Sequence, residues 1–197
     1  MAKVHFYYSA MNAGKSTTLL QASYNYGERG IDTLLYTPRV DDRYQVGMIT
    51  TRIGLQKEAI VMGEEDDFYH DVSQRVEQNS KVGCVCIDEA QFLNKKQVFD
   101  LTRVADKLNI PVLAYGIRSD YRGEPFEGSQ YLLVWADQLV EIKTICHCGR
   151  KATMNLRIDA DGHAVRTGGQ IFIGGNESYV ATCRRHFWLG QGFAADQ

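Results

Sequence analysis

The sequence predicts an α/β fold in which a mostly parallel sheet is flanked by helices and carries a small β-rich appendage. Short apolar runs alternate with longer amphipathic segments over residues 1–142, as strands and helices do around a parallel sheet. After residue 142 this alternation stops, and clustered cysteines and paired glycines replace it. The 197 residues suit one α/β domain with a small second unit. We therefore expect one domain at 1–142, a second at 143–190 and a flexible tail at 191–197.

The first domain contains apolar runs with the length and continuity of strands that are buried on both faces. The five predicted strands are Val4–Tyr8, Thr33–Thr37, Val82–Asp88, Pro111–Tyr115 and Leu139–Ile142. The amphipathic segments between them have the pattern of helices that cover a sheet. The predicted helices are Ser16–Tyr26, Asp67–Gln78, Phe92–Leu108 and Ser129–Asp137.

The second domain is predicted to be β-rich, with no helix between residues 143 and 186. A hairpin is predicted from Met154–Ile158 and Ala164–Arg166, because Asp161-Gly162 is a typical hairpin turn. Glycine pairs flank Gln170–Ile173 and mark a further short segment. The result would be a small unit of short strands and turns.

Composition and charge exclude several classes of protein. The formal net charge of -2 and the pI of about 6.2 provide no surplus of basic residues, which a general nucleic-acid binder needs. There is no run of 18 apolar residues, so no membrane partner is expected. A strand-like run starts at Val4 and leaves no room for a signal peptide, so we expect a cytoplasmic protein.

A phosphate-binding loop is predicted between the first strand and the first helix. Its residues are Ser9, Ala10, Met11, Asn12, Ala13, Gly14, Lys15 and Ser16. The backbone N–H groups of such a loop converge at the helix N-terminus, where the helix dipole also favours a phosphate. Lys15 would contact the β- and γ-phosphates, and Ser16 would ligate Mg²⁺. Ser9 stands where the usual motif begins with glycine, and the alternative interpretation is a turn with a surface lysine.

Two carboxylates follow the third predicted strand. Asp88 and Glu89 come where open α/β sheets bind ligands, beyond the carboxyl ends of strands. Asp88 would hold Mg²⁺, while Glu89, on the other side of the strand, could accept a proton from a nucleophile. Alternatively, either residue caps the helix that follows.

Together the loop and the carboxylates predict a P-loop nucleoside-triphosphatase-type fold. They do not identify an acceptor, so an ATPase, a GTPase and a kinase remain open. No Asn-Lys-x-Asp motif for reading guanine is present, which weakens the GTPase interpretation.

Cysteine and histidine residues cluster at both ends of the second domain. The four residues that could form a tetrahedral, structural Zn²⁺ site are Cys146, Cys148, Cys183 and His186. Such a site would stabilise a unit too small to have its own large core. His147 could replace one of the cysteines, and the alternative is reduced thiols with a surface histidine. Cys84 and Cys86 are expected to be core residues of the third strand.

Several segments together resemble the zinc-containing thymidine kinases, and the match is close to bacterial members. The resemblance runs from Phe6 to about Phe187. The matching segments, in this order, are Ser9–Ser16, Asp41–Tyr44, Asp88–Phe92, Tyr115–Phe126, Ile173–Glu177 and Tyr179–Cys183. Members of this family combine a P-loop domain with a zinc-held lasso. The resemblance therefore implies ATP and catalytic Mg²⁺, together with structural Zn²⁺.

The resemblance also implies roles for single residues. Glu89 corresponds to the general base that takes the proton from the thymidine 5′-hydroxyl. Beyond the loop, the residues implied for the site of ATP and Mg²⁺ are Asp88, Gln91, Asp41 and Arg43. The positions implied around the thymine base are Phe92, Tyr121, Phe126, Phe172, Ile173, Gly174, Gly175 and Tyr179. Tyr121 replaces the phenylalanine typical of its position and keeps a ring.

The activity implied is phosphorylation of thymidine by ATP to give thymidine monophosphate and ADP, for nucleoside salvage and DNA synthesis. Feedback inhibition by dTTP and a homotetramer are implied as well. An alternative from another class is a P-loop ATPase coupled to a zinc nucleic-acid-binding module, against which the charge balance argues. A kinase for deoxyuridine or deoxycytidine is a third interpretation.

Overall fold

The computed structural model describes residues 1–39, 46–171 and 178–193. Within these ranges the predicted fold class is confirmed, because helices flank a parallel sheet and a small β-rich unit with a Cys/His cluster follows. The strands are β1 (Val4–Ser9), β2 (Asp32–Pro38), β3 (Met48–Thr50), β4 (Gln56–Glu58), β5 (Ile60–Met62), β6 (Val82–Ile87), β7 (Val112–Ile117), β8 (Gln138–Glu141), β9 (Thr144–Ile145), β10 (Lys151–Ala152), β11 (Met154–Arg157) and β12 (Tyr179–Thr182). The helices are α1 (Lys15–Gly27), α2 (Phe68–Gln78), α3 (Lys95–Leu108), α4 (Glu127–Trp135) and α5 (Arg184–Leu189). Residues 143–190 are called the C-terminal module below.

The main sheet has six strands among the described residues, in the order β5-β2-β6-β7-β1-β8. Every neighbouring pair is parallel. Because β6 and β7 lie between β2 and β1, the carboxyl ends of β1, β6 and β7 are adjacent. Ligands bind beyond this edge in open parallel sheets, so the loops that follow these three strands are placed to form a site.

Apolar clusters cover both faces of the sheet. On one face, Val85 and Ile87 pack with residues of α2, α3 and α4, among them Val72 and Leu101. On the opposite face, Cys84 and Cys86 pack with α1. Both cysteines are completely buried, as predicted. This two-sided packing fixes the strand ends, and therefore the loops that begin there.

The predicted helix Phe92–Leu108 is wrong at its N-terminus. A 3₁₀ turn occupies Ala90–Phe92, and α3 begins only at Lys95. Asn94 and Gln97 form a capping box: the Asn94 side chain accepts the Gln97 N–H at 2.9 Å, and Gln97 accepts the Asn94 N–H at 3.1 Å. These bonds satisfy two N–H groups that would otherwise lack partners, which fixes the start of α3 after the turn.

The C-terminal module pairs its strands differently from the prediction. The turn at Asp161-Gly162 forms, and Ile158 makes a single bridge with Ala164. However, β11 pairs along its length with β12 rather than with the predicted strand Ala164–Arg166. The module also contains α5, which begins within the stretch where no helix was predicted. Strands that pair across a long stretch of intervening sequence leave little local pattern, as does a helix of one to two turns.

A hairpin of β3 and β4 was also not predicted. Its strands have three residues each and β4 is exposed, so they lack the apolar run that identifies a buried strand. The turn is closed by the Thr51 N–H, which donates to the Leu55 carbonyl at 2.8 Å, and Gly54 has φ +87. None of the helices within the described ranges is long and apolar enough to cross a membrane.

Candidate active site

A cavity of about 310 Å³ lies at the carboxyl ends of β1, β6 and β7. Its described walls come from the loops after these strands, from the β3–β4 hairpin and from the C-terminal module. The predicted site residues that line it are Met11, Asn12, Ala13, Gly14, Lys15, Ser16, Asp88, Glu89, Gln91, Phe92, Tyr121, Phe126 and Tyr179. Motifs that are far apart in the sequence therefore meet in one space, whose volume is typical of small-molecule sites.

The phosphate loop connects β1 to α1 through two residues in the left-handed conformation, Asn12 at φ 64 and Gly14 at φ 82. The Lys15 ammonium donates to the Ser9 hydroxyl at 3.1 Å and to the Ala10 carbonyl at 3.2 Å. Ser9 and Ala10 are buried behind the loop, while Lys15 also lines the cavity. The positive charge is thus held where the loop N–H groups converge.

Asp88 lies directly after β6 and is only 5% exposed. Its carboxylate accepts a hydrogen bond from the Ser16 hydroxyl at 3.0 Å. Burial raises the pKa of Asp88 to about 7, and the nearby charge of Glu89 adds to the effect. A carboxylate that is poorly solvated favours a cation beside it. Asp88 and Ser16 thus provide adjacent oxygen donors of the type that suits Mg²⁺.

Glu89 has left-handed backbone angles, φ 48 and ψ 42, and its side chain makes no capping hydrogen bond. The alternative that it caps the following turn is therefore wrong. The expectation that Asp88 and Glu89 alternate along a strand is also wrong, because β6 ends at Ile87 and a left-handed turn separates the two side chains.

Gln91 holds the Glu89 carboxylate in the cavity. Its side-chain N–H donates to Glu89, and its Oε1 accepts the Ile117 N–H at 3.2 Å. Gly116 makes room for this amide, since a Cβ at that position would lie 2.9 Å from the Gln91 Oε1 atom. Gln91 was predicted for the nucleotide site, and its described contacts connect it instead with the predicted base.

Four aromatic side chains form two pairs in the cavity wall. Phe92 and Phe126 meet edge to face with ring centres 5.8 Å apart, and Tyr121 and Tyr179 meet at 6.5 Å and 60°. Tyr121, Phe126 and Tyr179 are buried and yet line the cavity, so packing and ligand contact are compatible at these positions. Flat apolar walls of this kind suit a planar ring.

Asp120 and Asn155 are buried polar residues of the wall that were not predicted. Asp120 accepts the N–H groups of Arg122 and Glu124 at 2.8 and 2.9 Å and closes the loop that carries Tyr121. Asn155 reaches the cavity from β11. The Asp-x-x-Gly turn is a local signal for Asp120. No local signal exists for Asn155, whose partners are 36 and 144 residues away.

The four predicted metal ligands come together in the C-terminal module. Their ligand atoms all lie within 4.8 Å of one another. The sulfurs of Cys148 and Cys183 are 3.9 Å apart, and the Nδ1 atom of His186 is 3.6 Å from Cys183. Usual Zn–S and Zn–N bond lengths place tetrahedral ligands about 3.5 to 3.8 Å apart. The donor set and its spacing therefore fit a structural Zn²⁺.

His147 does not belong to this group of four. Its ring stacks on His186 with centres 4.2 Å apart, and its Nδ1 lies 3.2 Å from the Gly192 carbonyl. The geometry therefore favours His186 over His147 as the fourth ligand beside the three cysteines.

Some predicted site residues lie outside the described ranges. They are Asp41, Arg43, Phe172, Ile173, Gly174 and Gly175. Their roles stay predictions.

The parallel sheet, the phosphate loop and the acidic residues after β6 define a P-loop nucleoside-triphosphate-binding fold. Residues 2–187 match the thymidine kinase family. Thymidine kinases of Coxiella burnetii and Legionella pneumophila (strain Lens) are 63% and 61% identical to this chain over 191 residues, which cover 97% of this chain and 97% and 91% of theirs. That of Photobacterium profundum is 56% identical over 187 residues, which cover 95% of this chain and 97% of its own. The chain belongs to the thymidine kinase family.

Proposed function

We propose that the protein transfers the γ-phosphoryl group of ATP to the 5′-hydroxyl of thymidine, giving thymidine monophosphate and ADP. The observation that carries this proposal is that one cavity is lined by a phosphate loop, a positioned carboxylate and four aromatic rings. A triphosphate and a nucleobase need different walls, and this cavity offers both. The names of relatives that match nearly the full length of the chain support the same activity.

The phosphate end would bind ATP through the loop N–H groups and Lys15. Ser16 and Asp88 would hold Mg²⁺, which neutralises phosphate charge when it is bound. Ser16 already donates to the Asp88 carboxylate at 3.0 Å, which brings the two oxygen donors into one place. Asp41 and Arg43, outside the described residues, would add charge near the phosphates.

Glu89 would accept the proton of the nucleoside 5′-hydroxyl as that oxygen attacks the γ-phosphorus. Glu89 lines the cavity, and its carboxylate accepts a hydrogen bond from Gln91, which lines the cavity as well. A base with a fixed orientation requires little reorganisation in the transition state. Gln91 would thus be a positioning residue for Glu89.

The base end would hold thymine between the ring pairs Phe92–Phe126 and Tyr121–Tyr179. Backbone groups near Tyr179 and in the segment from Phe172 to Gly175 would read the hydrogen-bonding edge of the base. A site built to pair with polar groups discriminates strongly against analogues that leave those groups unpaired.

We also propose a structural Zn²⁺ held by Cys146, Cys148, Cys183 and His186, feedback inhibition by dTTP, a homotetramer and a cytoplasmic role in nucleoside salvage. dTTP carries both a thymine and a triphosphate, so it would occupy both ends of the cavity and compete with thymidine. Residues 1–142 would form the domain that carries out the phosphate chemistry, and residues 143–190 would form the lasso.

The test is to incubate the purified protein with ATP, Mg²⁺ and each of thymidine, deoxyuridine, deoxycytidine, deoxyadenosine and deoxyguanosine, and to measure each monophosphate formed by chromatography. We expect thymidine to be the best substrate and the purine nucleosides to be unreactive. ATP hydrolysis with no nucleoside product would instead support the ATPase alternative and overturn the proposal.

A further inference from the structure

The Asn155 side chain joins separate parts of the molecule through two hydrogen bonds. It projects from β11 and is only 2% exposed. Its Oδ1 atom accepts the Met11 backbone N–H at 2.7 Å, and its Nδ2 atom donates to the Ser119 carbonyl at 3.1 Å. A backbone N–H can only donate and a carbonyl can only accept, so these partners fix the orientation of the amide. One side chain of the C-terminal module thus contacts two loops of residues 1–142, which carry the main sheet and are called the sheet domain below.

The contact with Met11 adjoins a left-handed turn of the phosphate loop. The next residue, Asn12, has φ 64, a conformation that is uncommon for a residue with a side chain. Such conformations persist where the surrounding structure holds the chain in place. Asn155 holds the peptide N–H that directly precedes this turn. Without that bond, the loop would have more freedom to leave the conformation that receives a phosphate.

An apolar contact supports the same connection. Ala10, which precedes Met11, is 2% exposed and belongs to a small cluster formed with the module. The other members of the cluster are Cys146, Ala152, Ala181 and Cys183. The base of the phosphate loop therefore belongs to the same apolar cluster as two of the cysteines that fit a metal site.

The contact with Ser119 reaches the aromatic side of the cavity. A β-bridge between Ser119 and Pro125 closes a loop that carries Tyr121 and leads to Phe126. Asn155 is thus hydrogen-bonded at once to the loop of the phosphate end and to the loop of the ring wall. Phosphoryl transfer depends on the spacing between donor and acceptor, and a displacement of about 1 Å can cost roughly 100-fold in rate.

We propose that Asn155 is a positioning residue that keeps the phosphate loop in its nucleotide-binding conformation and in register with the aromatic wall. The C-terminal module then supports nucleotide binding in addition to any role at the base. The proposal rests on the proposed function in taking ATP as the donor, and its test uses ADP without any nucleoside.

The experiment is calorimetric titration of ADP with Mg²⁺ into the full-length, zinc-loaded protein and the variants Asn155→Ala and Asn155→Leu. Alanine leaves space for a water molecule that can accept the Met11 N–H. Leucine has nearly the shape of asparagine, excludes water and leaves that N–H without a partner, which costs more. We expect ADP to bind roughly 3-fold more weakly to Asn155→Ala and roughly 10-fold more weakly to Asn155→Leu.

This order separates a hydrogen-bonding role from a packing role. If Asn155 only filled space, the leucine variant would bind ADP better than the alanine variant, because alanine leaves a cavity. The control is Ile158→Ala, which weakens the apolar cluster of the same module away from the phosphate loop. We expect this control to melt at a lower temperature and to bind ADP normally.

Hydrogen exchange gives a second readout and still serves if Asn155→Leu folds poorly. The amide of Met11 should exchange faster in Asn155→Ala than in the wild type, and should be unchanged in Ile158→Ala. Unchanged ADP affinity and unchanged exchange in Asn155→Ala would overturn the proposal, as would equal losses in Asn155→Ala and Ile158→Ala. If the protein phosphorylated no nucleoside, the proposed function would be refuted. The measurements of ADP affinity and hydrogen exchange would still test the role of Asn155, because neither requires a nucleoside.

Discussion

The sheet domain and the C-terminal module are stabilised in different ways. The sheet domain buries a large apolar cluster between β-strands and the helices α2, α3 and α4, and a second one under α1. Among its described residues the module contributes to two small clusters, one of which consists of Leu156, Ile158 and Phe187. Units with so little core generally need a metal or a disulfide to fold. The Cys/His group of the module supplies a donor set for a metal, and the spacing of its atoms fits one.

This difference corresponds to two tasks within one cavity, which are phosphoryl transfer and binding of the nucleoside base. The phosphate loop, Asp88 and Glu89 follow strands of the well-packed sheet, whereas Tyr179 and Asn155 come from the module. We infer that changes to the phosphate loop, Asp88 and Glu89 affect chemistry with the fold intact, and that changes in the module affect substrate binding together with local folding. Three of the four predictions below test this separation, and the fourth tests a hydrogen bond that stabilises the sheet domain alone. They run from the largest expected effect to the smallest.

Glu89→Gln should lower kcat by roughly 1,000-fold while thymidine and ATP still bind, because the amide cannot accept the proton. Steady-state kinetics and calorimetry would measure the two effects. Glu65→Gln, an exposed position outside the cavity, is the matched control and should leave kcat unchanged. A Glu89→Gln enzyme with near-normal kcat would show that another group takes the proton.

Cys183→Ser should remove bound zinc and lower activity by more than about 100-fold, because one of the four metal donors is lost. Zinc content by mass spectrometry and melting of the sheet domain should be measured on the same sample. Cys84→Ala changes a cysteine that packs under α1, and it should keep zinc. If Cys183→Ser kept a full zinc content, the proposed ligand set would be refuted.

Tyr121→Phe should raise KM for thymidine roughly 5-fold and leave kcat nearly unchanged. The Tyr121 hydroxyl donates to the Gly169 carbonyl at 3.1 Å, so its loss removes about 1 kcal/mol that orders this segment, while the ring is kept. Tyr24→Phe, at an exposed position on α1, is the control. A fall in kcat without a change in KM would contradict this assignment.

Tyr36→Phe should lower the free energy of unfolding by about 0.5–1 kcal/mol at pH 7 without changing activity. The Tyr36 hydroxyl donates to Asp71 at 2.6 Å, and Arg75 donates to the same carboxylate at 2.8 Å. Burial opposes ionisation of Asp71, but these hydrogen bonds outweigh it and lower the pKa of Asp71 below its ordinary value.

A lowered pKa fixes the direction of the pH dependence. The stability due to ionised Asp71 is complete above the unfolded pKa of about 3.9 and is lost as the pH falls through the lower folded pKa. The difference between wild type and Tyr36→Phe in urea unfolding should therefore shrink below about pH 4. A difference that grows on acidification would contradict the described hydrogen bonds.

The predicted site residues that the structure brings together are those with a contiguous signal. The phosphate loop follows one apolar strand in the sequence, and Asp88 and Glu89 directly follow another. The Cys and His pairs can be identified by residue type and spacing alone. The parallel sheet followed from the same apolar strands. These features need no knowledge of contacts between distant residues.

The parts that were missed depend on distant partners or on precise local caps. The role of Asn155 depends on Ser119 and Met11, which are 36 and 144 residues away. The pairing of β11 with β12 spans more than 20 residues that carry no pattern for it. The start of α3 at Lys95 is set by the Asn94–Gln97 capping box. The helical pattern of apolar residues extends N-terminal to this box, so the pattern alone placed the start too early.

The most direct test of the separation between sheet and module is calorimetric titration of thymidine and of ADP into zinc-loaded protein and into protein dialysed against a chelator. We expect zinc removal to abolish measurable thymidine binding. The affinity for ADP should fall by roughly 10-fold but remain measurable, because the loop N–H groups and Lys15 belong to the sheet domain. Zinc-free protein that binds thymidine with normal affinity would contradict a contribution of the C-terminal module to the base end.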